Sequence, residues 1–263
     1  MTVLHVQVEG IGLWSPQLAD FDALRRLLSN GSLADIEAHP GAAALSPNER
    51  RRAPEGTLVA IEVAAQAVTM SRHRADHLAC VFASAYGDQT NTDYMCRVLA
   101  RVPTELSPTR FHNSVHNASA GYWTIATGCR APSSAVCAGH ASFGAGLLEA
   151  ATQVCADHRA ILLVCSDTAG VGPLGELTEC RLAFGCALVL TPVGGESDTR
   201  LSIAAVEDAP RHEPLPDPCS AWMRENPSAA CLPLLAMLAK EDGACVLAAS
   251  ERLGLYVQRE VTV

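Results

Sequence analysis

A layered α/β fold with a mostly central sheet is predicted from three observations in the 263-residue sequence. Short apolar runs of strand length recur along the chain, and helical patterns rich in small residues separate them. Hydrophobic residues make up 49% of the total, enough for one large or two small cores.

The elements follow in order. Residues 3–9 alternate apolar and polar with β-branched enrichment, the period of a half-buried strand. A helical stretch near 17–29 precedes a polar, proline-punctuated loop over 39–54. Leu58, Ile61, Ala65 and Val68 then recur at helical spacing, predicting an alanine-rich helix over 57–71. The apolar run 77–85, bounded by Asp76 and Gly87, reads as a buried strand, and helical patterns follow at 89–101 and 114–127. Residues 131–137 form a short strand candidate. It leads to Phe143, Leu147, Ala150 and Val154, whose 4, 3, 4 spacing marks a closely packing helix. Three more strands are predicted at 160–165, 184–190 and 201–206. Pro210, Pro214, Pro216 and Pro218 then mark 208–228 as a linker without regular structure, separating residues 1–207 from 229–263. The last part carries a helix candidate at 229–240 and a hairpin from 244–250 to 254–259.

A net charge of −9 argues against a dedicated nucleic-acid binder, which needs clustered Lys and Arg, and against a membrane-surface role. Eleven cysteines with no Cys-x-x-Cys pair suit reduced, buried thiols and a cytoplasmic location better than a disulfide framework. The first ten residues lack a basic segment followed by an apolar core, and no window is apolar enough for a membrane span, so secretion and insertion are not expected.

Glycine-rich phosphate loops and the Gly-x-Ser-x-Gly elbow are absent from the sequence. His112 and His116 are four apart, a spacing that suits a metal, but no carboxylate or cysteine stands at ligand spacing beside them. They read as structural or pocket-lining histidines, and no metal is expected. The run Arg50-Arg51-Arg52 reads as solvated surface, with docking of an acidic partner as the rarer use.

Residues 107–151 are the informative stretch. Ser107-Pro108, Asn117, Ala120-Gly121, Gly128, Arg130 and Pro132-Ser133 occur there in an order and spacing that resemble the N-terminal half of β-ketoacyl synthases. These are thiolase-fold condensing enzymes of fatty-acid and polyketide assembly. The resemblance extends more weakly over Arg52 to Pro54 and the strand at 184–190, covering roughly residues 1–207. It implies a truncated thiolase-like fold, with a complete N-terminal half and a C-terminal remnant, and no cofactor.

Two departures bear on activity. Followed without gaps from Pro132, the family pattern places the nucleophilic cysteine position on His140, with Ala150-Ala151 still in register. Cys137 stands three residues upstream, and an odd slip in a strand turns side chains to the opposite face. Cys137 therefore reads as a structural thiol, with a displaced nucleophile as its rival. His140, at a helix start, reads as a plug where an acyl-cysteine would sit, with a base or anion-holding role as the alternative. The resemblance further implies two histidines in the second half, which stabilise the enolate formed on decarboxylation. Only His158 and His212 follow residue 151, neither in such a context.

Loss of the nucleophile with the scaffold kept resembles the chain length factors that pair with type II polyketide ketosynthases, including those of aryl polyene pathways. The implied role is a non-elongating subunit, inactive by itself. It would form a heterodimer with a full-length β-ketoacyl synthase and meet acyl carrier protein through that partner. Phe111, His112, His116, Asn117, Tyr122, Trp123, Ser133, Ser134 and Phe143 are its tunnel and interface candidates. The competing readings are a small acyltransferase or thioesterase using Cys137 or His140, and a non-catalytic homodimer that binds carrier protein.

Overall fold

Among the described residues, eight strands form one sheet in the order β3-β2-β4-β5-β1-β6-β8-β7. The computed structural model describes residues 2–33, 39–194, 197–207 and 215–260. In chain order these fold as β1 (Val3–Trp14), α1 (Phe21–Asn30), α2 (Pro47–Arg52), α3 (Glu55–Met70), β2 (Ala79–Ala83) and α4 (Gln89–Arg101). Then come α5 (Pro108–His112), α6 (Ala118–Thr127), β3 (Ser133–Val136), α7 (Ser142–Asp157), β4 (Ile161–Asp167) and α8 (Gly172–Thr178). The chain closes with β5 (Phe184–Pro192), β6 (Arg200–Glu207), α9 (Cys219–Glu225), α10 (Leu232–Lys240), β7 (Ala244–Ala248) and β8 (Leu253–Glu260).

The central strands β2, β4 and β5 are buried along nearly their whole length because both faces are covered. Along β4, Ile161, Leu163 and Cys165 enter one core with residues of α1, α7 and α10. Leu162 and Val164 enter a second core with residues of α3 and α6. β2 divides in the same way, Val81 to the first core and Phe82 to the second. β2, β3 and β4 run parallel, whereas β1, β5, β6, β8 and β7 pair antiparallel.

β1 continues past the predicted residue 9 to Trp14, since Gly10 and Gly12 let α3 lie directly on it. A Cβ on Gly12 would stand 1.9 Å from the carbonyl oxygen of Val63, and one on Gly10 2.0 Å from that of Ala67. The helix expected at 17–29 begins at Phe21, where Asp20 caps it by accepting from the Ala23 amide at 2.7 Å.

Two expected loops contain helices. The 39–54 loop holds α2, a single charged turn closed by a capping box between Ser46 and Glu49 and burying none of its side chains. It lacks the apolar stripe by which a helix shows in a sequence. The expected linker 208–228 is likewise corrected where it is described. α9 occupies 219–225, and a 3₁₀ turn covers Pro227–Cys231. Pro216 and Pro218 precede α9, where no helical amide is required of them. Trp222 buries its ring and donates from Nε1 to Gln17 Oε1 at 3.0 Å. The rest of that proline cluster, 208–214, lies outside the described residues. Residues of α10, β7 and β8 share the core built by β1 to β5, so the C-terminal strands extend the same sheet. α5 and α8 were not expected, and the helix predicted at 114–127 forms only from Ala118 onward, as α6.

Candidate functional site

The carboxyl ends of adjacent parallel strands gather on one edge of a sheet, where ligands of open α/β folds bind. Here β3, β2 and β4 deliver three segments to one such edge: Cys137 to His140, the turn 84–87, and Asp167.

The turn is the hub. Ser84 Oγ accepts from the Gly87 amide at 2.8 Å, and Gly87 takes a positive φ of 62°. Three site candidates fasten to successive residues of this turn. His116 Nε2 donates to the Ser84 carbonyl at 3.0 Å, and Cys137 Sγ donates to the Ala85 carbonyl at 3.3 Å. Tyr86 Oη and His140 Nε2 share a hydrogen bond of 3.1 Å. Beneath the turn, Asp167 is 1% exposed and accepts from Ser84 Oγ at 2.7 Å, from the Ala85 amide at 2.9 Å and from the Tyr86 amide at 3.1 Å. Ser228 Oγ adds a fourth donor at 2.6 Å. Burial raises the Asp167 carboxyl above the usual carboxylate range, and the Ser228 and Ser84 hydroxyls and two amides pull the other way. Burial also raises the Tyr86 phenol.

Among the described residues β3 pairs with β2 alone and forms an edge of the sheet. Beside it an open groove of about 600 Å³ is lined by His116, Asn117, Gly121, Thr124, Ser133, Ser134 and Cys137, among others. Four predicted interface residues, His116, Asn117, Ser133 and Ser134, therefore come together. Phe111 and His112 stand exposed on α5 and do not line this groove. Trp123, at 1% exposure, and Phe143, at 0%, belong to the two cores and are corrected from tunnel candidates to packing residues. Each faces the sheet, a distinction that helical spacing does not make. Tyr122 packs against the second core and donates its hydroxyl to Asn113 Oδ1 at 3.2 Å.

His140 stands in a 3₁₀ turn, Gly139–Ala141, that opens α7. Its ring is exposed rather than enclosed and meets Tyr86 edge-on, with centroids 6.1 Å apart. Cys137 is exposed, and the hydrogen bond described for its sulfur runs to a carbonyl, which does not draw off a proton. His158 is exposed at the end of α7, and His212 lies outside the described residues. His116 Nε2 is committed to a carbonyl, and among the described residues no three His, Cys, Asp or Glu cluster as metal ligands. No helix there is long and apolar enough to cross a membrane.

The sequence reading missed Ser84, Tyr86, Asp167 and Ser228. The available signal was topological: Asp167 closes buried β4 at its carboxyl end, and the 84–87 turn follows buried β2.

The family model described as β-ketoacyl synthase, N-terminal domain, matches residues 28–253. No curated protein matches significantly. Among solved structures, a chain of the complex of a ketosynthase with its chain length factor from Xenorhabdus doucetiae superposes with a TM-score of 0.71 at 23% identity. The match covers 97% of this chain and 100% of that one. A chain of the ishigamide ketosynthase/chain length factor gives 0.71 at 13% identity, over 98% and 100%. A chain of a type II polyketide synthase acyl-carrier protein in complex with its hexaketide-bound ketosynthase gives 0.73 at 12% identity, over 98% and 100%. At these identities the likeness is one of fold.

Proposed function

The chain belongs to the β-ketoacyl synthase N-terminal-domain family, and from that premise we propose that it is a non-elongating subunit of the chain-length-factor kind. It pairs with an active β-ketoacyl synthase and shapes the tunnel that holds the growing acyl or polyene chain. The observation that carries this reading is the pairing of His140, at the nucleophile's place in the family pattern, with the unpaired edge of β3. The chain keeps the scaffold, has an imidazole where the thiolate would stand, and presents an uncharged strand, Ser-Ser-Ala-Val, with room for a partner along it. Chain length factors named among the structures of like fold support the same assignment.

In this reading the partner performs the condensation and contacts the acyl carrier protein. The groove between α6 and β3 continues the partner's tunnel, and His116, Asn117, Thr124 and Ser134 line its far part. An aryl polyene or related type II polyketide is the product class. Eleven free cysteines suit a reducing cytoplasm.

The test is co-expression with full-length β-ketoacyl synthases co-encoded with it. A stable one-to-one complex that makes product, with no product from the chain alone, supports the assignment. A monomer that binds no co-encoded ketosynthase overturns it. A stable acyl adduct on Cys137 after incubation with an acyl thioester, seen by mass spectrometry, instead supports a small acyltransferase or thioesterase.

A further inference from the structure

A buried carboxylate without a cation beside it is costly unless donors satisfy it, and Asp167 has four. Those donors come from two distant segments. Ser84, Ala85 and Tyr86 belong to the turn after β2, and Ser228 belongs to the 3₁₀ turn before α10. Asn226 strengthens the second attachment, its Nδ2 donating to the Asp167 carbonyl at 2.9 Å and to the Leu182 carbonyl at 2.8 Å. Its Oδ1 accepts from the Ser228 amide at 2.7 Å.

We propose that Asp167 is a positioning residue, a buried clamp that locks the 84–87 turn to the C-terminal segment and thereby fixes His116, Cys137 and His140 on the face beside β3. The geometry is cumulative: one carboxylate orients the turn, and the turn's carbonyls and phenol orient three side chains from two other segments, His116 before α6 and Cys137 and His140 after β3. The carboxylate never reaches the groove and acts only through the turn. The C-terminal segment thus has a part beyond covering the core, since Ser228 completes the clamp. That this face receives a ketosynthase rests on the function proposed above, whereas the clamp does not.

Hydrogen exchange on the full chain tests the clamp without any partner. In Asp167→Asn an amide NH₂ confronts donors where an acceptor stood. In Ser228→Ala one donor is lost while the turn's own bonds to the carboxylate remain, so this variant keeps the chain folded if the first does not. In both, exchange of the amides at 84–87 is expected to accelerate about tenfold or more, with the amides of β5 and α7 unchanged. The imidazole NMR signals of His116 and His140 are expected to shift in the same variants. Turn amides as protected as in the parent, or acceleration spread evenly over the chain, would overturn the clamp. If the turn loosens but the partner complex still makes products of unchanged length, the clamp stands and the proposed function alone is contradicted.

Discussion

Tyr86 and His140 meet hydroxyl to imidazole, 3.1 Å apart, with their rings at 87° to one another. The side chain that we propose stands at the nucleophile's place is thereby engaged by a phenol from the neighbouring strand end. Replacing it by cysteine removes that partner and installs a thiol, but supplies no imidazole to stabilise an enolate. His140→Cys is expected to show neither malonyl decarboxylation nor chain extension when assayed without a ketosynthase. Extension by the variant alone would mean that the C-terminal segment holds catalytic groups after all.

Cys137→Ala deletes a thiol whose described hydrogen bond runs to the Ala85 carbonyl. The cost to stability is expected to be about 1 kcal/mol. Product formation by the reconstituted complex should stay close to that of the parent, whereas loss of turnover with folding and partner binding intact would make Cys137 a nucleophile.

Thiol labelling offers a map of the folded chain. Cys96 and Cys137 are exposed, and eight of the other nine cysteines are buried. Burial pushes Cys80, Cys180 and Cys245 up to about 12 and Cys219 up to about 11. The reactive thiolate grows tenfold per pH unit below the pKa, so at pH 8 a thiol of pKa 12 carries only about one part in ten thousand. Alkylation followed by mass spectrometry should modify Cys96 and Cys137 first and the buried thiols only on unfolding. Adding the partner ketosynthase should protect Cys137 and leave Cys96 reactive.

Gly121 lines the groove, and a Cβ there meets nothing within 4 Å. Gly121→Ala is expected to leave the chain folded and to gain up to about 1 kcal/mol in helix propensity. Gly121→Phe projects a ring into the groove, and the complex should then release shorter products at a rate little changed. A charge placed on the edge strand acts differently. Ala135→Lys should abolish co-purification with the ketosynthase while moving the stability of the isolated chain by only about 0.5 kcal/mol.

Gly12→Ala forces a methyl group against the Val63 carbonyl of α3. Backbone cannot yield there as a side-chain tip can, and destabilisation of about 1–3 kcal/mol is expected in denaturant unfolding. A neutral result would show that α3 sits farther from β1 than described.

Elements announced by local chemistry were legible in the sequence. α4 spans the predicted 89–101, with Asp88 capping it by accepting from the Asn91 amide at 2.9 Å. The hairpin of β7 and β8 and the helix before it also lie close to their expected places. The position of His140 at a helix start followed from the family pattern and holds in the structure. α2 was hidden because no side chain of it is buried, and α9 because prolines precede it. The clamp was hidden for another reason. Asp167 lies 83 residues from Ser84 and 61 from Ser228, and no local pattern links residues so far apart. Trp123 and Phe143 were misplaced because an aromatic on a helix reads alike in the sequence whether it faces a sheet or a tunnel.

The pairing of β1 also sets a timetable for biosynthesis. Val6 lies opposite Pro192 on one side and Leu201 on the other, so β1 leaves the ribosome some 186 residues before the first of its two neighbours. At about 5–20 residues per second this leaves roughly ten to forty seconds in which a strand with one apolar face has both edges open. Native pairings so distant in sequence also slow folding once synthesis ends. Unpaired strand edges of this kind are where aggregation starts, so the yield of assembled protein is expected to respond to translation speed as well as to final stability.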